Sequence, residues 1–184
     1  IERIRFLTSH PNDMSDHIIE SVAELEKVCE HINLPIQAGD NEILNKMRRG
    51  YTNEEYRNLI EKIRSKIPNV SISTDIIVGF CGENDTQFQK TIDIIKDIRF
   101  DKVHAAAYSI RENTIAMRKM LDNVPLEEKK SRLNQIESIQ KQILQEKNDL
   151  LCGETFEILV EGKKNNNQYG RNRNDKLIYF DSKE

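Results

Sequence analysis

The stretch STDIIVGFCGE, residues 73–83, constrains the fold more than any other part of the chain. Ile76, Ile77 and Val78 are β-branched neighbours with no polar alternation, which predicts a parallel strand covered on both faces. Gly79 and Gly82 then let the backbone turn sharply and approach a ligand with no Cβ in the way. Ligands of α/β sheets gather at the carboxyl ends of such strands, so Asp75, Gly79 and Glu83 are the first candidates to line a pocket. The alternative is that the two glycines only shape a strand-to-helix loop and that Glu83 caps the next helix.

The segments around this strand repeat its logic. Residues 4–8 and 28–34 read as short strands, the second ended by Pro35. Ile18, Ile19, Val22 and Leu25 recur at helical spacing, predicting a helix over 13–26. A helix over 41–48 stops at Gly50, where a left-handed cap is usual. Thr52 with Glu55 three residues later makes a capping box for a helix over 54–66. Asn84 or Asp85 caps a helix with Phe88, Ile92, Ile95 and Ile98 inward, and 103–108, with three alanines, is another buried strand. Residues 126–151 form one long amphipathic helix with Leu133, Ile136, Ile139, Ile143, Leu150 and Leu151 on one side and a solvated polar face on the other. Strands alternating with helices imply right-handed βαβ units and a parallel sheet.

From Cys152 the texture changes. Residues 155–161 alternate, 162–168 are a polar turn, and 169–173 and 176–180 are short strands, which are antiparallel hairpin signals. Three strands are too few for a separate domain, so either they pack on the α/β barrel or the chain ends inside a small β-barrel, and the second is the preferred expectation. Lys163, Lys164, Arg171, Arg173 and Lys176 stand here against one acid, Asp175, in a chain whose net charge is −3. With Tyr169 among them, these cations suit a phosphate backbone and a stacked base; the bland alternative is a solvated hairpin.

Composition excludes several classes. At 184 residues, 37% hydrophobic and 32% charged, the chain has the make-up of one globular domain with a small appendage. No apolar window is long enough to span a bilayer and nothing at the start reads as a leader, which predicts a cytoplasmic protein with no membrane partner. Cys29, Cys81 and Cys152 are scattered without CxxC spacing, so each is expected to be a small buried hydrophobe and no metal ligand is expected. The chain opens on Ile1 close to a strand, as a piece of something longer would.

Four ordered segments resemble the radical S-adenosylmethionine methylthiotransferases, and the resemblance extends over essentially the whole chain. They are Arg5 to Pro11 (RFLTSHP, similar to RFxTSHP), Leu34 to Asp40 with Met47 to Thr52 (LPIQAGD and MRRGYT, similar to LPxQSGS and MxRGYT), Ser73 to Asn84 (similar to STDIIVGFPGET) and Tyr108 to Thr114 (similar to YSxRxGT). Departures fall at Asn33, Ala38, Asp40, Cys81 and the loop 110–115.

The resemblance implies an α/β fold: residues 1–151 as the later half of a partial, TIM-like radical-SAM barrel, and 152–184 as part of a TRAM module, a small OB-like antiparallel β-barrel associated with RNA binding. It implies S-adenosylmethionine as cofactor, held by Gln37, Arg48 or Arg49, Asp75, Gly79, Glu83, Tyr108 and Ser109, with one arginine on the methionine carboxylate. It also implies [4Fe-4S] clusters whose CxxxCxxC ligands lie upstream of Ile1, so this chain holds no catalytic residue and is inactive alone. The cluster's electron would cleave the cofactor to a radical that takes hydrogen from the substrate carbon. Expected partners are tRNA, with isopentenyl-adenosine as the target, and a reductant such as flavodoxin or ferredoxin. A ribosomal-protein aspartate is the alternative substrate. Rival readings are a plain RNA-binding protein and a barrel enzyme using a strand lysine, for which only Lys102 is available. His10 reads equally as hydrogen-bonding its own turn or as touching a ligand, and His17, His31 and His104 read as structural or exposed.

Overall fold

A computed structural model describes residues 1–7, 9–165 and 167–181. Thr8, within the predicted strand 4–8 and the RFLTSHP segment, and Asn166, within the predicted turn 162–168, lie outside the described residues.

Three parallel strands form the centre. They are β1 (His31–Asn33), β2 (Ser71–Val78) and β3 (Lys102–Ala107), in the order β1-β2-β3. Helix α1 (Asp16–Glu24) precedes β1, α2 (Asn41–Lys46) and α3 (Asn53–Lys66) lie between β1 and β2, and α4 (Asp85–Ile98) lies between β2 and β3. Their starts follow from side-chain caps. Ser15 accepts from Ile18 N–H, Asp40 from the N–H groups of Glu42 and Ile43, and reciprocal boxes close at Thr52/Glu55 and Asn84/Gln87.

The expected first strand is reduced to one parallel bridge, Ile4 to Val28, and the second is cut to His31–Asn33. The helix predicted over 13–26 is shorter, because Pro11–Asp13 makes its own 3-10 turn and Ser15 restarts the chain.

The central strands are not covered on both faces. On β2, Ile72, Thr74, Ile76 and Val78 are fully buried against helices, whereas Asp75 and Ile77 are only half-buried. Their partners across the register, His104 and Ala106, are exposed on the same face. Helices pack on one face alone, so the sheet is an arc with an open inner side, and the predicted buried strand of alanines alternates instead. Each fully buried isoleucine on the helix side contributes roughly 2 kcal/mol by area.

A short helix α5 (Ile115–Lys119) precedes α6 (Leu126–Asp149), which closes over β3 and α4. The buried stripe of α6 is Lys129, Arg132, Ile136, Gln140 and Ile143, so its polar residues are not all solvated, while Leu150 is exposed. Beyond it β4 (Leu159–Lys164), β5 (Asn167–Arg171) and β6 (Leu177–Phe180) form an antiparallel meander with a register shift between Val160 and Gly162. Cys29 and Cys81 are buried as expected, but Cys152 is exposed. Among the described residues no helix is long and apolar enough to cross a membrane.

Candidate functional site

At the carboxyl ends of β1, β2 and β3 the arc opens into a cavity of about 500 Å³. Ile77, Phe80, Ala106 and Ala107 give it an apolar floor, and Lys46, Arg48, Arg49 and Arg111 ring it with positive charge. Of the residues expected here, Gln37, Arg48, Tyr108 and Ser109 line it.

Each is placed by local backbone demands. Gln37 has φ 73°, the left-handed region that a side chain rarely enters. It is held there from both sides: its N–H donates to Asp75 O at 2.9 Å and its carbonyl accepts from Ile77 N–H at 2.9 Å. A strained residue kept in place by its neighbours at a strand end is characteristic of functional sites. Arg48 is likewise left-handed at φ 59° and exposed, whereas Arg49 donates to the Tyr51 hydroxyl at 3.1 Å and lies 5.7 Å over that ring. Tyr51 in turn donates to the carbonyls of Pro35 and Ile36. Of the two cations, Arg49 is engaged, and the Arg48 guanidinium has no hydrogen-bond or ion-pair partner among the described residues. The Phe80 and Tyr108 rings meet edge-on at 4.9 Å. Burial, and then the Cys81 thiol beside it, push the Tyr108 hydroxyl up to about 12, so it stays a neutral donor.

Asp75, Gly79 and Glu83 do not line the cavity. Asp75 faces the open side of the arc and accepts from Asn33 Nδ2 at 3.1 Å, in a ladder that continues through Ser73 to His31 Nε2. Glu83 points the other way, towards α6. Its carboxylate accepts from Gly79 N–H at 2.6 Å and from Arg132 at 2.7 Å, both side chains almost fully buried. Burial pushes the Glu83 carboxyl up, with those two donors pulling against it. Phe80 and Arg111 also complete the cavity; they lie within the segments similar to STDIIVGFPGET and YSxRxGT but were not singled out as site residues, and Met120, after α5, carried no sequence signal.

The basic hairpin is divided. Arg173 makes a two-pronged pair with Glu30 at 2.7 and 2.8 Å and also donates to Val28 O. Arg171 pairs with Glu161 and Asp175, and Lys176 donates to Asn148. Arg3 and Arg5 reach across to the carbonyls of Arg171 and Asn172. These contacts dock the meander at the amino ends of the strands, opposite the cavity. Tyr169 packs on Tyr179 with centroids 5.9 Å apart. Only Lys163 and Lys164 of the predicted cations are exposed without partners among the described residues.

The Radical SAM superfamily model matches residues 1–95, more than half of the chain. The chain belongs to the radical SAM superfamily. It is 48% identical over 180 residues to a tRNA-2-methylthio-N(6)-dimethylallyladenosine synthase of Dehalococcoides mccartyi, covering 98% of this chain and 43% of that protein. A synthase of the same description from Pelotomaculum thermopropionicum is 47% identical over 183 residues, covering 98% and 41%. This radical SAM chain thus spans about two-fifths of the length of the curated relatives it matches. Among solved structures, coproporphyrinogen III oxidase from Escherichia coli, described as a radical SAM enzyme, superposes with a TM-score of 0.60 at 17% identity, over 72% of this chain and 31% of its own. That likeness supports the α/β barrel fold of the parallel part.

The two groups the superfamily implies fare differently. Among the described residues no three His, Cys, Asp or Glu side chains come together as metal ligands, so an iron–sulfur cluster does not fit on this chain's own residues. S-adenosylmethionine fits the cavity's donor set: guanidinium for a carboxylate, an apolar floor for a purine, and the Ser109 hydroxyl and Gln37 amide for ribose oxygens.

Proposed function

We propose that this chain is the cofactor-positioning half of a tRNA methylthiotransferase that acts on N6-dimethylallyl (isopentenyl) adenosine. The observation that carries the reading is identity near one half across 98% of the chain to synthases of that description. In this reading residues 1–151 are the later part of the radical SAM barrel and 152–184 begin a TRAM-like module. The iron–sulfur ligands then belong to parts of the protein outside this sequence, in line with the greater length of the relatives. Flavodoxin or ferredoxin supplies the electrons, and the protein works in the cytoplasm.

When bound, S-adenosylmethionine supplies the hydrogen-abstracting chemistry. The residues here bind and orient it. Arg48 pairs with the methionine carboxylate, Gln37 and Ser109 hold ribose oxygens, and the Phe80 and Tyr108 rings wall the purine. Asp75 keeps the open inner face polar through Asn33 and Ser73, and Gly79 with Glu83 secures the loop that carries Phe80.

Mass spectrometry of tRNA nucleosides from a strain lacking the full-length gene tests this. The methylthio form of the modified adenosine should vanish and its unmethylthiolated precursor accumulate. An unchanged tRNA profile together with loss of methylthio-aspartate from a ribosomal protein would transfer the assignment to the alternative substrate.

A further inference from the structure

We propose that the first turns of α6 form a clamp that sets the shape of the cavity, with Lys129 and Arg132 as its positioning residues. Both side chains are nearly inaccessible, and a spacing of three puts them on one helix face. Neither touches the cavity; each holds one of the two strand-end loops that make it.

Lys129 Nζ donates to both oxygens of Asp122 at 2.7 Å and to the Tyr108 carbonyl at 3.2 Å, and it lies 5.3 Å over the Tyr108 ring. Its stem runs across Gly79 so closely that a Cβ built on that glycine would fall 2.4 Å from Lys129 Cγ. Arg132 donates to the Glu83 carboxylate at 2.7 Å and to the Glu83 carbonyl at 3.2 Å, and the same carboxylate oxygen takes the Gly79 N–H. The loop after β2, which carries Phe80, and the segment after β3, which carries Tyr108, are therefore fastened to adjacent turns of one helix. Their two aromatic rings then meet as the cavity wall.

Burying a lysine and an arginine is a poor way to gain stability, since apolar residues of the same volume usually do as well or better. What the cations add is direction. They fix carbonyls and carboxylates of two separate loops at defined distances, and a wall displaced by about 1 Å weakens a site sharply.

The inference rests on the reading that the cavity holds S-adenosylmethionine. Its test uses the full-length protein, with S-adenosylhomocysteine as the probe, calorimetric binding and thermal unfolding as the two readouts, and four proteins: parent, Lys129→Met, Asp122→Asn and the double variant. Methionine keeps the stem over Gly79 and removes only the ammonium. The clamp predicts roughly tenfold weaker binding in each single variant and no further loss in the double one, because both changes cut the same link. Equal affinity in parent and folded variants, with only the melting temperature lowered, would overturn the clamp. Should Lys129→Met not fold, Asp122→Asn alone decides between these outcomes. A parent that does not bind the probe overturns the cofactor reading itself, and the clamp with it.

Discussion

Two arginine–carboxylate pairs, one in each region of the molecule, show how differently the same chemistry is used. Arg132 and Glu83 lie beneath the cavity loop with almost no solvent exposure, while Arg173 and Glu30 join the meander to the sheet with about a third of each side chain exposed. The first pair is internal to the α/β part and holds a turn whose glycine must stay at φ 70°. The second fastens one region to another through contacts that water competes for. At the cavity mouth the Arg48 and Arg111 guanidinium groups have no partner among the described residues, whereas Arg171, Arg173 and Lys176 of the meander are engaged within the protein.

The largest effect expected from this contrast is on stability. Removing Arg132 by substitution to Ala leaves a buried carboxylate without its partner and should cost about 3–5 kcal/mol. Arg173→Ala should cost only about 1 kcal/mol, because its pair is partly screened. Urea unfolding of the full-length protein compares the two directly, and equal losses would break the distinction.

Next comes RNA binding. Replacing Lys163 and Lys164 together by alanine should weaken tRNA binding and reduce the slope of log affinity against log salt by about 2, since both ammonium groups are free. Arg171→Ala should leave that slope unchanged, because its guanidinium is already paired with Glu161 and Asp175. Filter binding at several salt concentrations checks this, and a slope change for Arg171→Ala would show that the pairs open on RNA.

Acid should separate the regions too. Hydrogen bonding from Arg173 holds the Glu30 carboxyl below its ordinary value. Such a pair contributes stability above the unfolded value and loses it as pH falls through the folded one. Protection of the Asn172 and Lys176 amides against hydrogen exchange, corrected for the intrinsic rate at each pH, should therefore fall on acidification, and this extra loss should disappear in Glu30→Gln.

The smallest effect concerns Gln37. Substitution by Gly removes a left-handed side chain and should raise stability by about 1 kcal/mol while weakening cofactor binding, a trade that calorimetry and unfolding together would reveal.

Much of the fold was legible because local signals agree with tertiary demands. Thr52 with Glu55 announces α3, and the run from Ile76 to Val78 announces β2. Helix α5 was missed, since five residues carry too little periodicity. β4 begins later than its alternation suggests and carries a pairing irregularity between Val160 and Gly162 that alternation does not announce. In the candidate site, Gln37, Arg48, Tyr108 and Ser109 could be named from strand ends and resemblance, but Glu83 could not be placed. Its direction depends on Arg132, almost fifty residues away and on a helix face that sequence pattern assigns to solvent. The same blindness let the meander's cations be counted together, although three of the five are paired internally.

The central claim is that the strand-end cavity, not the meander, is where chemistry is set up. Ala106 lines that cavity on the exposed face of β3, so a larger side chain there fills the space without disturbing the core. The most direct measurement is nucleoside mass spectrometry of tRNA from a deletion strain complemented with the full-length gene carrying Ala106→Trp. The account predicts a folded protein and no methylthio-adenosine above the deletion background. Methylthio-adenosine at the level of the unaltered gene would contradict it.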